Sequence, residues 1–206
     1  MDCNYLKRLL ACIAEVMQEN RENLIQLDSI VGDGDLGLTM SDGFKAASES
    51  IQNTDETDIG KLLYMAGKAM SVAVPSTMGT LMASGLMQAG KVLKGKTDLS
   101  LIELCSLFKA YEDGVMHRGK AKVGEKTFLD GIDPAILSLE KSVEANEDIQ
   151  AAAQKAYDAS KAGYENTSTM IAIHGRAATR GEASRSLKDP GACVVMLMME
   201  AFVKSL

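Results

Sequence analysis

The sequence predicts an all-α protein, a bundle of about eight helices folded as one domain over residues 1–206. Three observations carry that expectation. Apolar residues recur every three or four positions along most of the chain, and no segment reads as a convincing strand. Thirteen Met, no Trp, few aromatics and many Ala and Leu favour helices over sheets. The periodic segments are joined by short connections, with no repeat, low-complexity tract or linker to divide the chain.

Each element follows in order. Leu6, Leu9, Leu10, Ile13, Val16 and Met17 are spaced for an amphipathic first helix. A short helical stretch at 22–27 leads into a glycine-rich loop at 31–37. Helices are expected over 39–50, 58–74, 80–93 and 99–118, then a glycine- and lysine-containing loop over 119–126. Asp133-Pro134 has the acidic cap and first-turn proline that open a helix reaching about residue 145. Asp148 caps a longer one reaching about residue 173. The segment 174–188 lacks periodicity and carries three Arg. Asp189-Pro190 repeats the cap–proline signal and starts a final helix ending near Lys204. At helical spacing, the Met-rich run within it reads as core.

A net charge of −6 argues against nucleic-acid binding, which wants a basic face. Cys3, Cys12, Cys105 and Cys193 are scattered, without a CxxC pair or a His spaced for zinc, and read as reduced thiols of a cytoplasmic protein. The N-terminus does not suit a secretion signal, and the longest apolar run is too short to span a bilayer, so no membrane role is expected. Asn166-Thr167-Ser168 fits a glycosylation acceptor that an unsecreted chain would not use.

The loops over 32–37, 75–79, 119–126 and 175–191 are richer in Gly, Ser, Thr and charge than helix connections need, and binding residues tend to sit in such loops. The most informative is the first, where Asp33 and Asp35 alternate with glycines and Asp28 lies just upstream. Glycines let the backbone aim several carboxylates at one point, and crowded carboxylates are stabilised by a shared cation. Oxygen ligands without Cys or His select magnesium, calcium or manganese. A calcium EF-hand fails: counted from Asp33, its glycine position holds Leu38 and its closing glutamate position Phe44. Magnesium, held by a few carboxylates plus substrate phosphates, fits better. Residues 90–97 match the P-loop pattern GxxxxGK[ST], but they follow helical periodicity instead of a strand, so they read as a helix end.

Four segments in order, 28–40 (DSIVGDGDLGLTM), 76–85 (STMGTLMASG), 119–135 (GKAKVGEKTFLDGIDPA) and 175–192 (GRAATRGEASRSLKDPGA), together resemble the nucleotide-binding L subunit of dihydroxyacetone kinase, the DAK2-type domain. The resemblance spans nearly the whole chain. It implies an eight-helix antiparallel barrel with ADP or ATP bound at one end. It also implies two Mg2+ ions held by Asp28, Asp33 and Asp35. By the same resemblance Leu36, Gly37, Leu38 and Thr39, with Thr77, Met78 and Gly79, would line the phosphates. Gly119 and Phe128 would flank the adenine or ribose, Arg176 would reach a phosphate, and Asp189, Pro190 and Gly191 would close the site.

The chain departs from the family pattern in three places. Leu36 stands where many members carry His, Met78 where Ser is usual, and Gly181-Glu182-Ala183-Ser184 where Gly-Glu-Arg-Ser is expected, with Arg185 shifted. The implied activity is phosphoryl donation to dihydroxyacetone held by a separate K subunit, since neither His117 nor His174 has the context to bind a ketose covalently. The chain alone is then inactive. Recharging by a phosphohistidine carrier of the phosphotransferase system is favoured for a chain of this length, and a homodimer is a further possible partnership. Alternatives are an ATP-exchanging kinase for another small ketose such as erythrulose, a nucleotide-binding regulatory module, and a fatty-acid kinase domain.

Overall fold

Nine α-helices account for most of the computed structural model, which describes residues 1–206; no strand is present beyond one bridge between Asp2 and Asp98. They are α1 (Cys3–Glu19), α2 (Arg21–Val31), α3 (Leu36–Gln52), α4 (Ile59–Ala73), α5 (Thr77–Val92), α6 (Leu101–Gly119), α7 (Leu129–Glu144), α8 (Ile149–Asn166) and α9 (Pro190–Lys204). Polar caps fix several starts. Asp2, Asp58, Ser76, Asp148 and Asp189 each accept a backbone N–H in the first turn, and Ser100 forms a capping box with Glu103.

All the helices except α2 close a ring. α1 packs on α3, α3 on α4, and so on through α9, which packs back on α1. Short connections force successive neighbours to run antiparallel. α1 runs antiparallel to α3, since Lys7 near its start reaches Gln52 and Thr54 at the end of α3, and the alternation continues round the ring, so α3, α5, α7 and α9 all begin at one end. The apolar faces meet inside it, where Leu6, Phe44, Leu62, Leu104, Ile132 and Phe202 are almost fully excluded from solvent. Met198 and Met199 are likewise buried, as their spacing predicts. No helix is long and apolar enough to cross a membrane.

Several expected boundaries are corrected. α7 starts at Leu129, so Asp133-Pro134 is not its cap. Asp130 does that work: its carboxylate accepts from the N–H of Thr127 and Gly124 at 2.7 and 2.6 Å, while Thr127 Oγ1 accepts from Leu129. Pro134 then lies inside the helix, leaving the Asp130 carbonyl without its helical donor, and Gly163 of α8 packs onto both. α8 stops at Asn166 instead of Ile173, because Thr167, Ser168 and Thr169 turn their hydroxyls back onto carbonyls three residues earlier. α2 is longer than expected, and α3 and α5 start three residues earlier. The P-loop look-alike is the end of α5 and the turn after it. It meets Asp58 and Ile59, at the end of the ring where α4 begins.

One core group is out of keeping with its surroundings. Glu112 on α6 is buried with Oε1 unpartnered, and burial, reinforced by Asp133 and Asp113, pushes its carboxyl up to about 7. The folded chain therefore keeps a proton that the unfolded chain loses above pH 4.5, so this group's contribution to stability falls as pH rises to about 7 and is level beyond. Glu112→Gln is expected to raise stability at pH 8 by on the order of 2 kcal/mol and to change nothing near pH 4, read from paired thermal melts.

Candidate functional site

The end of the ring where α3, α5, α7 and α9 begin collects the four loops that stood out in the sequence. Asp28 sits in the last turns of α2, Asp33 in the connection and Asp35 at the N-cap of α3. Gly34 takes a left-handed φ of 74° that allows this sharp reversal. Ligand oxygens of the three carboxylates lie within 4.8 Å of one another. Burial and then the charges of Asp33 and Asp28 push the Asp35 carboxyl above its ordinary range, and Arg176 partly offsets this.

The donor set is all hard oxygen, open to solvent on the side of Asp33 and Asp35, and fits magnesium with room for phosphate ligands. Four helix N-termini share this end, and their free N–H groups and dipoles favour an anion beside the cation. The first turn of α3 is Leu36-Gly37-Leu38-Thr39 and that of α5 is Thr77-Met78-Gly79, so these two expected phosphate-lining segments are helix starts and not loops. They meet directly, with Thr39 Oγ1 3.3 Å from Ser76 Oγ, which also caps Gly79 N–H at 3.0 Å. Ser76 heads the 76–85 segment and is the N-cap of α5, the place a Ser just before a helical run signals.

Arg176 reaches the acidic cluster, with Nη2 2.7 Å from Asp33 Oδ2. Both side chains are largely exposed, so the pair contributes little stability; it does show that the segment carrying Arg176 spans to the acidic cluster. Asp189 caps α9 through Ala192 N–H at 2.7 Å, and burial pushes its carboxyl up to about 7. Pro190 is buried beneath it, and Gly191 lies so close to the Phe128 backbone that a Cβ would meet that nitrogen at 3.1 Å. The Phe128 ring itself turns inward, buried and stacked on Tyr111 at 6.0 Å, so its backbone alone borders the site. Gly119 is exposed at the end of α6. Leu36 is buried and Met78 half-buried against the core, and neither side chain supplies a polar contact. His174 joins two of the loops through Glu125, 2.6 Å away.

A closed helical ring that gathers carboxylates and helix N-termini at one mouth defines an all-α domain with a candidate metal and anion site. The chain belongs to the DAK2 domain family, which matches residues 30–204. It is 34% identical over 186 residues to the ADP-binding subunit DhaL of the PEP-dependent dihydroxyacetone kinase of Escherichia coli K12, covering 90% of this chain and 89% of that one. It is 31% identical to the corresponding subunit of dihydroxyacetone kinase 2 from Listeria innocua, over 100% and 96% of the two chains. The crystal structure of the C. freundii dihydroxyacetone kinase in complex with AMP-PNP and Mg2+ superimposes with a TM-score of 0.74 at 21% identity, and shares the fold. The match covers 97% of this chain but 33% of that kinase.

Proposed function

We propose that residues 1–206 form the nucleotide-binding, phosphoryl-donor subunit of a dihydroxyacetone kinase, inactive without a K-type subunit that holds the ketose. The observation that carries this reading is the three-carboxylate cluster faced by the first turns of α3 and α5. Asp28, Asp33 and Asp35 would hold two Mg2+ ions, which would supply neutralisation of the charge on the phosphates of ADP or ATP. Along the segments Leu36 to Thr39 and Thr77 to Gly79, the free N–H groups of Gly37, Leu38, Thr77 and Met78 would orient the phosphate oxygens, and Arg176 adds a positive charge. Asp189, Pro190 and Gly191 close the far wall at the start of α9, and Gly119 and the Phe128 backbone border the nucleoside. Phosphoryl transfer needs mainly such positioning and charge neutralisation.

The rim supports dependence on a partner. Ile30, Leu38, Val72, Val123 and Ile173 all expose apolar side chains around this mouth, Val72 at 82%. Apolar side chains gathered at one mouth suit contact with a partner protein. We further propose that the nucleotide stays bound and is recharged in place by a phosphohistidine carrier of the phosphotransferase system, which sets the cytoplasm as the place of work.

Native mass spectrometry of the purified chain tests the reading. ADP with magnesium that survives dialysis and is released by EDTA is the expected result, together with no phosphorylation of dihydroxyacetone until a K-type subunit is added. Ketose phosphorylation by the chain alone overturns the partner dependence, and absence of any magnesium-dependent nucleotide binding overturns the site.

A further inference from the structure

Lys126 is a residue the site description leaves over. It is 3% exposed, has a left-handed backbone at φ 59°, and ends in an ammonium with no carboxylate in contact. Its partners are all backbone carbonyls: Thr167 and Ser184 at 2.7 Å, Met170 at 3.2 Å, Arg185 at 3.3 Å, and Leu187. Two of these oxygens flank the 3-10 turn Thr167–Thr169, and the other three lie where the second 3-10 segment, Arg176–Ser184, ends. Helix C-termini present carbonyls with partial negative charge, so one buried cation is matched to both. Burial lowers its proton affinity, and the nearby Asp189 opposes that shift.

The chain between the two sets of carbonyls is the arm that carries Arg176. Within it Gly175 and Gly181 take φ of 66° and 52°, and nothing lies within 4 Å of where their Cβ atoms would be. Residues 176–180 thus lie between two glycines with open space beside them, while both roots of the arm converge on one ammonium. We propose that Lys126 is a positioning residue, a clamp that fixes the roots of the 171–183 arm so that Arg176 is delivered to the acidic cluster and the nucleotide is retained. The proposal rests on the nucleotide reading above.

The test is release of a fluorescent ADP analogue, with Mg2+, from the whole chain. Lys126→Met leaves the carbonyls without their donor, and release is expected to accelerate on the order of tenfold to a hundredfold, the range set by charge-assisted hydrogen bonds. Hydrogen exchange should rise across residues 171–187 and stay level in α2 and α3. In an Arg176→Gln background the same substitution should accelerate release no further, which a general loss of stability would not produce. Unchanged exchange in the arm, or an undiminished effect without Arg176, overturns the clamp. Failure of the parent chain to bind the analogue sinks the nucleotide reading, while the exchange data still judge the clamp. Should K126M not fold, Lys126→Ala refolded in ammonium chloride reads the same quantity. Release that slows with added ammonium at constant helical signal supports the clamp, and release indifferent to it overturns the clamp.

Discussion

Asp33→Asn is expected to abolish retention of the magnesium nucleotide while leaving the helical circular dichroism of the chain unchanged. The two halves of that result have separate causes. Asp33 lies between Gly32 and Gly34 in the connection from α2 to α3, is exposed, and packs against no core residue. Its removal costs the fold nothing beyond the exposed pair with Arg176, which is worth little. At the site the loss is large. Even partners one shell removed from a metal change its affinity by about 10- to 100-fold, so a ligand whose oxygen lies within 4.8 Å of two others should cost at least roughly a hundredfold. In EDTA the sign reverses, because one of three mutually repelling carboxylates has gone, and the variant should melt no lower than the parent. Titration of a fluorescent ADP analogue with Mg2+ checks the first half and thermal melts the second. Nucleotide retained by D33N at parental affinity would refute the ligand assignment.

What could be read from the sequence, and what could not, follows from the range of the interactions involved. That Asp28, Asp33 and Asp35 converge was legible because glycines beside Asp33 let the chain reverse sharply, and the caps at Asp148 and Asp189 because a helix start is a local event. The first turns of α3 and α5 were misread as loops because Gly37 and Gly79 lower helix propensity. Tertiary contact overrides it there: both glycines sit on backbone carbonyls, of Arg21 and Val74 respectively. Asp133-Pro134 misled because a cap–proline pair looks the same inside a helix, and the true start lay in Thr127-Phe128-Leu129-Asp130, a capping-box pattern that begins six residues earlier in the same segment. Phe128 was assigned to the nucleoside on position alone, whereas its ring is taken up by Tyr111. Lys126 could not be read at all. Its partners are carbonyls 41 to 61 residues away, which every residue type provides.

Gly37→Ala should separate the fold from its ligands at one joint. Gly37 is in the first turn of α3, and a Cβ there would run into the Arg21 carbonyl oxygen of α2 and lie 2.7 Å from Ile25 Cγ1. A backbone oxygen cannot rotate aside, so α2 must move as a body. Overpacking of this kind costs about 1–3 kcal/mol, and the rigidity of the obstructing atom puts this case at the upper end. The gain in helix propensity from Gly to Ala, under about 1 kcal/mol, offsets only part of it. The functional consequence exceeds the stability loss. Asp28 rides on α2 and Asp35 on the start of α3, with the Asp28 carboxylate 3.4 Å from Leu36 N–H across that joint. Pushing the helices apart opens the carboxylate cluster, and a displacement on the order of 1 Å is enough to cost about a hundredfold in a positioned site. The expected result is a urea midpoint lowered in proportion to the stability loss and magnesium-nucleotide binding reduced far beyond it, although no ligand has been altered. Parental affinity in a destabilised G37A chain would mean that α2 can yield without carrying Asp28 with it, and that the cluster is held from the α3 side alone.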